Sequence, residues 1–403
     1  MGTRGWIVAG LTALCLAAGA GPAGATSVAI PTTRGPQPGW AAEIDRLVRG
    51  LPVGVSVRDE GVDLYGHGAA HRRTPASNEK LLLSMALLNA LGPEAVLVTQ
   101  AAAATPPVGG ILAGDLWIVG SGDPDNREAT MRLLAQRVRD AGVSHIEGAV
   151  LGSSGYFKRD WFAPGWKRDF PRSQVALPTA LTFEGNQAGG VHVRDPEIRA
   201  ARALSRELRN LGVSVAGPAG TGKAPTGLAP VAEISSDPLP QLLDTMNRFS
   251  SNFWAEVLAK RLGVEAMGIP GSIAKGASAI HGFAAGWGVE VRAHDGSGLS
   301  YANRVSPRGL TRLLEAAEDL SWGEALRDAL PEPGQGTLGG RLRHLRVHAK
   351  TGTLTSISAL SGYVWLRRTS SWASFSILSR GVSKDVAVRL EDRIVRILAR
   401  RAS

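Results

Sequence analysis

The stretch TPASNEKLLLSMALLNALG, residues 74–92, carries the strongest structural signal in this chain. Thr74 suits the N-cap of a helix and Pro75 suits its first turn, whereas Gly92-Pro93 suits a helix end. Between these signals, apolar residues recur at the spacing of one helical face, at positions 81, 82, 85, 88 and 91. The stretch therefore predicts an amphipathic helix that begins at its Thr-Pro pair.

Ser77 and Lys80 form a Ser-x-x-Lys motif near the start of this predicted helix. Residues three positions apart share a helix face, so the Lys80 ammonium can reach the Ser77 hydroxyl. A partly buried lysine with a lowered pKa can take the proton of a serine, which turns the hydroxyl into a nucleophile. Backbone N–H groups in a first helical turn have no partner within the helix, so the Ser77 N–H can also stabilise an oxyanion.

A single Ser-x-x-Lys motif is weak evidence for catalysis, and the chain contains a second copy at Ser272 and Lys275. That copy follows the sequence Gly-Ile-Pro-Gly, residues 268–271, and we interpret it as a plain helix start. The catalytic interpretation of Ser77 therefore depends on the other motifs of the chain.

Residues 1–25 have the features of an export signal. Arg4 gives a positive start, residues 6–20 are apolar, and Ala-Gly-Ala at 23–25 is a small-residue cleavage site. An uncleaved membrane anchor is the alternative, but the apolar run is short for a spanning helix. Cys15 is the only cysteine in the chain, so a cleaved protein has neither disulfides nor thiol catalysis. The sequence thus predicts an exported, extracytoplasmic protein.

The composition limits the classes of partner. With 403 residues, the chain has room for two or three domains. The formal net charge is +10, but the arginines are scattered and form no aromatic-interleaved stripe. This pattern favours association with an anionic envelope or membrane surface over nucleic acid, and a merely solvated basic surface fits at least as well. The histidines are dispersed without ligand spacing, so we expect no metal and no cofactor.

Strand-like patterns stand at both ends of the chain. An amphipathic helix at 40–48 precedes two β-type runs within 53–65, which are joined by a hairpin signal. Near the other end, three β-type runs within 347–378 precede an amphipathic helix at 384–400. We therefore predict one sheet assembled from both ends of the chain, with the terminal helices on its face, in an α/β layer arrangement.

The middle of the chain has a different texture. From 96 to 229, Gly, Pro, Ala and short β-like runs dominate, with one helix-like run at 196–211. We predict a β-rich inserted domain at 96–229, so that the main domain comprises residues 40–95 and 230–403. Residues 26–39, rich in Pro, Gly and Thr, are predicted to be a linker.

Two further motifs follow the nucleophile motif in order: Ser250-x-Asn252 and Lys350-Thr351-Gly352. Ser250, expected in a loop between helices, can pass a proton to a leaving amine. The Asn252 amide can hold the substrate's amide and the Lys80 side chain. Lys350, expected at the end of a strand, can supply positive charge beside this relay.

The residues after Lys350 are suited to substrate binding. The Thr351 hydroxyl can bind a terminal carboxylate, and Gly352 lets a substrate lie close to the strand. The Thr353 N–H can join that of Ser77 to form an oxyanion hole. Three such motifs in this order, the first at a helix start and the last on a strand, rarely arise by chance, and together they predict an acyl-enzyme mechanism.

A set of motifs carries a resemblance to a known family: PASNEKLL (75–82), GSGDP (120–124), MNRFSSNFWAE (246–256), DGSGLS (295–300) and KTGT (350–353). The chain resembles the D-alanyl-D-alanine carboxypeptidase/endopeptidase family of low-molecular-mass, class C penicillin-binding proteins. The resemblance covers nearly the whole mature chain. Two departures are that Ser251 stands where the family usually has Asp, and that the segment between the first two motifs is short. We therefore expect one of the family's two inserted domains to be reduced or missing.

The resemblance implies a transpeptidase/β-lactamase-like α/β (α+β) domain, an antiparallel sheet flanked by helices, which is interrupted after the nucleophile's helix. It also implies an exported serine D,D-peptidase that acts on the D-Ala-D-Ala end of peptidoglycan stem peptides and is acylated by β-lactam antibiotics. Whether such an enzyme is a carboxypeptidase, an endopeptidase or both stays open.

Two other functions fit the same scaffold. A β-lactamase or esterase needs a group that activates a deacylating water, and no Glu is recognisably placed for that. A non-catalytic envelope protein is the second alternative, but retention of every hydroxyl, amine and amide of the three motifs argues against it. His348, two residues before Lys350, is interpreted as structural rather than as part of the cleft.

Overall fold

The computed structural model describes residues 33–34 and 38–401. The predicted export signal, residues 1–25, lies outside these residues, as does most of the predicted linker at 26–39. In the part of the chain that the structure describes, no helix combines the length and the hydrophobicity that a membrane crossing needs.

The helices are α1 (Ala41–Val48), α2 (Glu79–Leu91), α3 (Glu128–Asp140), α4 (Phe170–Ser173), α5 (Pro196–Asn210), α6 (Leu239–Arg248), α7 (Asn252–Met267), α8 (Ile273–Gly286), α9 (Pro307–Glu318), α10 (Gly323–Asp328) and α11 (Lys384–Arg401). The strands are β1 (Thr33–Arg34), β2 (Val53–Asp59), β3 (Val62–His67), β4 (Val98–Ala103), β5 (Ile111–Leu112), β6 (Leu116–Gly120), β7 (His145–Ile146), β8 (Val150–Ser153), β9 (Gln187–Ala188), β10 (Val191–His192), β11 (Ser214–Val215), β12 (Gly220–Gly222), β13 (Ala229–Ser235), β14 (Val347–Leu354), β15 (Ile357–Leu366) and β16 (Ser371–Arg380).

The main sheet contains strands from both ends of the chain, in the order β1-β3-β2-β16-β15-β14. The pairs from β3 to β14 are antiparallel, and the short β1 runs parallel to β3. The predicted fold class, an α/β (α+β) domain with an antiparallel sheet flanked by helices, is confirmed. β14 lies at an edge of this sheet, and it carries the Lys350-Thr351-Gly352 motif.

Helices cover both faces of the main sheet. On one face, Ile44 and Val48 of α1 share an apolar cluster with Ile394 and Leu398 of α11 and with Val55 of the sheet. On the other face, a larger cluster joins α2, α6, α7, α9 and α10 to the inner residues of β15 and β16. The terminal helices therefore pack on the sheet as the sequence predicts.

The central helix α2 differs from its prediction in two respects. Residues 79–88 are all buried, including Glu79 and Lys80, and exposure begins only at the C-terminal end, so the helix has no polar face along its length. It also begins at Glu79, after a 3-10 turn at Ala76–Asn78, so Thr74 does not cap it. Thr74 lies five residues before Glu79, too far to accept an N–H of the first turn of α2, and its oxygen instead accepts from Arg304 Nη1 at 2.8 Å.

A second sheet lies between Val98 and Ser235, in the order β12-β8-β6-β4-β13. Helices α3 and α5 pack on it around an apolar cluster that includes Ile118, Leu134 and Leu204. The helix α3 was not predicted, whereas α5 matches the helix-like run at 196–211. The division into a main domain and an insert at 96–229 stays a prediction.

One part of the middle segment packs against α7 and not against the second sheet. We call this part, residues 156–178, the strap. Phe157, Trp166 and Phe170 of the strap share an apolar cluster with Phe253 and Val257 of α7. The strap therefore runs beside the helix that begins with Asn252.

Candidate active site

Ser77 and Lys80 meet at the start of α2, as the sequence predicts. Ser77 lies in the 3-10 turn and Lys80 in the first turn of the α-helix. The Lys80 ammonium donates to Ser77 Oγ at 3.2 Å, and it also donates to Asn252 Oδ1 at 2.9 Å and to the Ser297 carbonyl at 2.6 Å. All three protons of the ammonium are therefore directed at acceptors, one of which is the serine hydroxyl.

Burial changes the acidity of this ammonium. Lys80 is fully buried, and its desolvation lowers its pKa from 10.5 to about 8, although the negative charge of Asp295 opposes the shift. An amine with such a pKa is unprotonated in part of the molecules at neutral pH. It can then accept the proton of the serine that it contacts.

A polar turn holds the third acceptor of Lys80 in place. Glu256 of α7 accepts the backbone N–H groups of Gly296 and Ser297 at 3.0 and 2.8 Å. Gly298 has φ +82°, and a Cβ there would lie 1.9 Å from the carbonyl oxygen of Ala76. The turn thus packs directly on the backbone that precedes the nucleophile, which explains the glycine.

The second motif lies between α6 and α7. Ser250 has a left-handed backbone, with φ 52°, and Asn252 is the first residue of α7. Ser251 caps this helix, because its side chain accepts the Trp254 N–H at 3.3 Å. The middle residue of the motif therefore has a structural contact away from Ser77, while the residues on either side face the cleft.

Lys350 completes the hydrogen-bonded group. Its ammonium donates to Ser250 Oγ and to the carbonyl of Thr351, both at 2.9 Å. Lys350 is fully buried, and this burial together with the positive charge of Lys80 holds its pKa well below 10.5. Two buried lysines thus flank the site, and each contacts one serine hydroxyl.

The edge strand β14 passes very close to the nucleophile. The Asn78 amide donates to the Lys350 carbonyl at 2.6 Å, and a Cβ at Gly352 would lie 3.1 Å from the Ser77 nitrogen. The Ala349 N–H donates to Pro331, outside the sheet. Since alternate residues of a strand point their N–H groups to the same side, the Thr353 N–H also points off the free edge.

These residues open into a cleft of about 510 Å³. Every hydroxyl and amide side chain predicted for the site lines it: Ser77, Ser250, Asn252, Thr351 and Thr353. The structure therefore brings together the three motifs that are far apart in sequence. His348 is not among the lining residues, and its ring packs 5.1 Å from that of Trp372, which is a structural contact.

The strap supplies cleft residues that the sequence reasoning missed: Lys167, Asp169, Phe170 and Gln174. The Lys167 ammonium donates to Thr355 Oγ1 at 3.1 Å and lies 5.5 Å from the centre of the Tyr301 ring. The missed signal is a charged run, Lys-Arg-Asp at 167–169, between the aromatic residues Trp166 and Phe170.

The described residues contain no set of metal ligands, since no group of three or more His, Cys, Asp or Glu side chains among them is arranged to hold a metal ion. The second Ser-x-x-Lys copy is also accounted for, because Ser272 caps α8 by accepting the Lys275 N–H at 3.1 Å. Its interpretation as a plain helix start is confirmed.

Comparison with known proteins agrees with this geometry. The sequence profile of the D-Ala-D-Ala carboxypeptidase 3 (S13) family matches residues 43–189 and 185–401. A D-alanyl-D-alanine carboxypeptidase from Actinomadura sp. (strain R39) is 27% identical, and the match covers 88% of this chain and 82% of the relative. Carboxypeptidase DacB from Mycolicibacterium smegmatis is 29% identical over 84% of this chain and 78% of its own length.

The fold is shared with a solved structure, that of penicillin binding protein 4 (dacB) from Haemophilus influenzae. The two chains are 21% identical, the match covers 88% of this chain and 99% of the other, and the TM-score is 0.77. A second crystal structure of that protein, complexed with a β-lactam, matches with a TM-score of 0.71.

Proposed function

This chain belongs to the D-Ala-D-Ala carboxypeptidase 3 (S13) family of serine peptidases, and we propose that it cleaves the D-Ala-D-Ala end of peptidoglycan stem peptides through an acyl-enzyme at Ser77. The resemblance found in the sequence is thereby confirmed at the level of the family. The observation that carries the proposal is the contact between Ser77 Oγ and the Lys80 ammonium, 3.2 Å long, made by a buried lysine of lowered pKa.

In the acylation step, neutral Lys80 accepts the proton of Ser77 while Ser77 Oγ attacks the carbonyl carbon of the penultimate D-Ala. The N–H groups of Ser77 and Thr353 receive the developing oxyanion. The position of Gly352, whose Cβ would lie 3.1 Å from the Ser77 nitrogen, supports this pairing because it brings the edge strand against the nucleophile's turn.

Collapse of the tetrahedral intermediate breaks the C–N bond, and the leaving amine needs a proton. The Ser250 hydroxyl gives its proton to that nitrogen, and a lysine ammonium in contact with the serine replaces it. Lys350 Nζ, at 2.9 Å from Ser250 Oγ, is positioned for this transfer. Asn252, which accepts from Lys80, has an amide that can also hold the substrate's own amide.

The leaving D-residue carries a carboxylate, and Thr351 lines the cleft beside Ser250. We assign the Thr351 hydroxyl to that carboxylate. Water then attacks the acyl carbon and gives a proton through Ser250 to the Lys350 amine, while Lys80 returns its proton to Ser77 Oγ as the acyl C–O bond breaks. β-Lactams resemble the substrate in this scheme, and the crystal structure of the Haemophilus influenzae relative with a bound β-lactam supports their assignment as inhibitors.

The place of action follows from the substrate. The Actinomadura relative is named a D-alanyl-D-alanine carboxypeptidase, and a stem-peptide substrate supports action outside the cytoplasm, in agreement with the export signal predicted at 1–25. The charge of +10 is suited to an anionic envelope surface.

The test is mass spectrometry of the intact protein after benzylpenicillin, with peptide mapping, together with release of D-Ala from an acyl-D-Ala-D-Ala peptide. We expect one adduct, on the peptide that contains Ser77, and D-Ala release, both lost in Ser77→Ala. Ser272→Ala, the serine of the second Ser-x-x-Lys copy, is the matched control and retains both.

Other outcomes separate the alternatives. An adduct that persists in Ser77→Ala refutes the nucleophile. Rapid turnover of a chromogenic cephalosporin without a stable adduct indicates a β-lactamase. Absence of both acylation and D-Ala release indicates a non-catalytic binding protein.

A further inference from the structure

A lysine of the last helix is hydrogen-bonded to a residue of the cleft. Lys384 is the first residue of α11, and its ammonium donates to Thr353 Oγ1 at 2.8 Å and to Ser358 Oγ at 2.9 Å. Thr353 and Ser358 face each other on the neighbouring strands β14 and β15. Thr353 lines the cleft, so Lys384 is connected to the cleft through one hydroxyl.

The chemistry of the side chains fixes the direction of each hydrogen bond around Lys384. Ser358 Oγ donates to the carboxylate of Glu391 at 2.7 Å, and Glu391 is also paired with Arg341 at 2.8 Å. The proton of Ser358 is therefore committed. An ammonium can only donate, so Lys384 gives one proton to Ser358 and another to Thr353.

Thr353 Oγ1 consequently keeps its own proton for another acceptor. Within the described residues, the Lys384 ammonium is its hydrogen-bond partner and no protein acceptor takes that proton. Thr351 and Thr353 are two residues apart on one strand, so their side chains point to the same face, and both line the cleft. The Thr353 hydroxyl can therefore donate a hydrogen bond to a ligand in the cleft, and the neighbouring Lys384 ammonium polarises this hydroxyl.

We propose that Lys384 positions the Thr353 hydroxyl as a donor to the carboxylate of the leaving D-residue, and so selects substrates with a free C-terminal carboxylate. The inference rests on the proposed peptidase function and deepens it. Lys384 acts through Thr353, so it is a positioning residue. Lys384 contacts Thr353 of β14 and neither Ser77 nor Lys80. It therefore contributes to binding of the leaving group and not to proton transfer at Ser77.

The experiment compares two substrates with the same acyl part, one ending in D-Ala-D-Ala and the other in D-Ala-D-alaninamide. The amide is scored as a substrate or, if it is not cleaved, as a competitive inhibitor. The proteins are wild type, Lys384→Met, Lys384→Arg, Thr353→Val and the double variant. Lys275→Met, a lysine near the start of α8 that lies outside the cleft, is the control.

For Lys384→Met we expect KM for the acid to rise about ten-fold with little change in kcat, since a charge-assisted hydrogen bond is lost from binding. For the amide, KM (or the inhibition constant, if the amide is not cleaved) stays within about two-fold of wild type. This result also shows that the variant is folded. Lys384→Arg restores part of the affinity. Thr353→Val keeps the backbone N–H, gives the same loss, and adds nothing in the double variant.

Equal losses for acid and amide, or additive losses in the double variant, overturn the inference. So does a wild type that binds acid and amide equally well. A wild type that releases no D-Ala and takes up no benzylpenicillin refutes the proposed function instead, so the two failures are distinguishable.

Discussion

Lys350 Nζ lies 2.9 Å from Ser250 Oγ, although the two residues are 100 positions apart in the chain. The contact joins the edge strand β14 to the loop between α6 and α7. It also separates the duties of the two buried lysines, since Lys80 contacts Ser77 and Lys350 contacts Ser250. Each lysine can therefore be tested on its own.

Replacement of Lys350 by Ala should impair chemistry more than folding. The variant loses the cation beside Ser250, so we expect the second-order rate of acylation by benzylpenicillin to fall by about 100-fold or more. The free energy of unfolding should change by about 2 kcal/mol or less, because removal of a buried charge also removes its desolvation cost. Stopped-flow acylation and urea unfolding provide the two numbers. Acylation at the wild-type rate would contradict the role of Lys350.

The pH dependence of acylation should report Lys80. Burial lowers the pKa of this lysine to about 8, and the base must be unprotonated to act. The acylation rate therefore rises with pH through a midpoint near pH 8. The measurement is the second-order acylation rate between pH 6 and pH 10. A rate that is constant or falls through pH 8 would show that Lys80 is not the base.

Glu79 should be neutral in the folded protein. It is fully buried, neither carboxyl oxygen has a hydrogen-bond partner among the described residues, and burial raises its pKa well above 4.5. The folded state then holds a proton that the unfolded state loses above pH 4.5, so Glu79 reduces stability as pH rises. Glu79→Gln should equal wild type near pH 4 and be more stable by about 1 kcal/mol or more at pH 8.

The same variant gives a second result. A neutral Glu79 exerts no charge effect on its neighbour, so Glu79→Gln should leave the acylation midpoint near pH 8 where it is in the wild type. A midpoint that moves to lower pH would reveal an ionised Glu79 and contradict this assignment.

Lys260 should anchor the strap. Its ammonium is fully buried and donates to the carbonyls of Lys158, Asp160 and Pro178 at 2.9, 3.0 and 2.9 Å, and it pairs with the Asp160 carboxylate at 2.8 Å. Lys260→Met removes the cation from the three carbonyls and from Asp160 Oδ1, although Asp160 Oδ2 keeps the Ile273 N–H at 2.9 Å. We therefore expect a loss of about 3–5 kcal/mol in the free energy of unfolding. Hydrogen exchange should show faster amide exchange in residues 156–178.

Lys275→Met is the matched control for this variant. Lys275 also donates to two carbonyls, of Met267 and Gly268, but at a solvent-exposed position. We expect its loss to cost about 1 kcal/mol or less. Equal losses in the two variants would contradict the anchoring role of Lys260.

The sequence predicted those parts of the site whose residues belong to short motifs. Ser77 and Lys80 are three residues apart at a helix start, so their contact follows from helix geometry alone. Ser250 and Lys350 could be joined only because both belong to one known set of motifs. The strand-like patterns at the two ends of the chain predicted one sheet in an α/β layer arrangement. The antiparallel, transpeptidase-like fold class was implied by the family resemblance.

The rest depends on tertiary contacts that no local pattern records. Residues 79–88 of α2 are buried because α6, α7, α8 and α10 pack around it, and Thr74 does not cap it because the helix begins five residues later, at Glu79. Lys167 enters the cleft because the strap is held on α7, which spacing does not reveal. In the sequence, Lys384 has only the features of an ordinary helix start. Its contact with the cleft residue Thr353 depends on the pairing of Thr353 with Ser358 across β14 and β15.

The strand order of the main sheet has a consequence for biosynthesis. β2 emerges early from the ribosome, yet it pairs with β16, and β14 joins the edge only through β15. A nascent polypeptide that stops before residue 347 contains Ser77 and Lys80 but lacks β14, the strand beside them. Hydrolysis therefore requires that β14 has been translated and paired, and a product truncated before this strand is inactive.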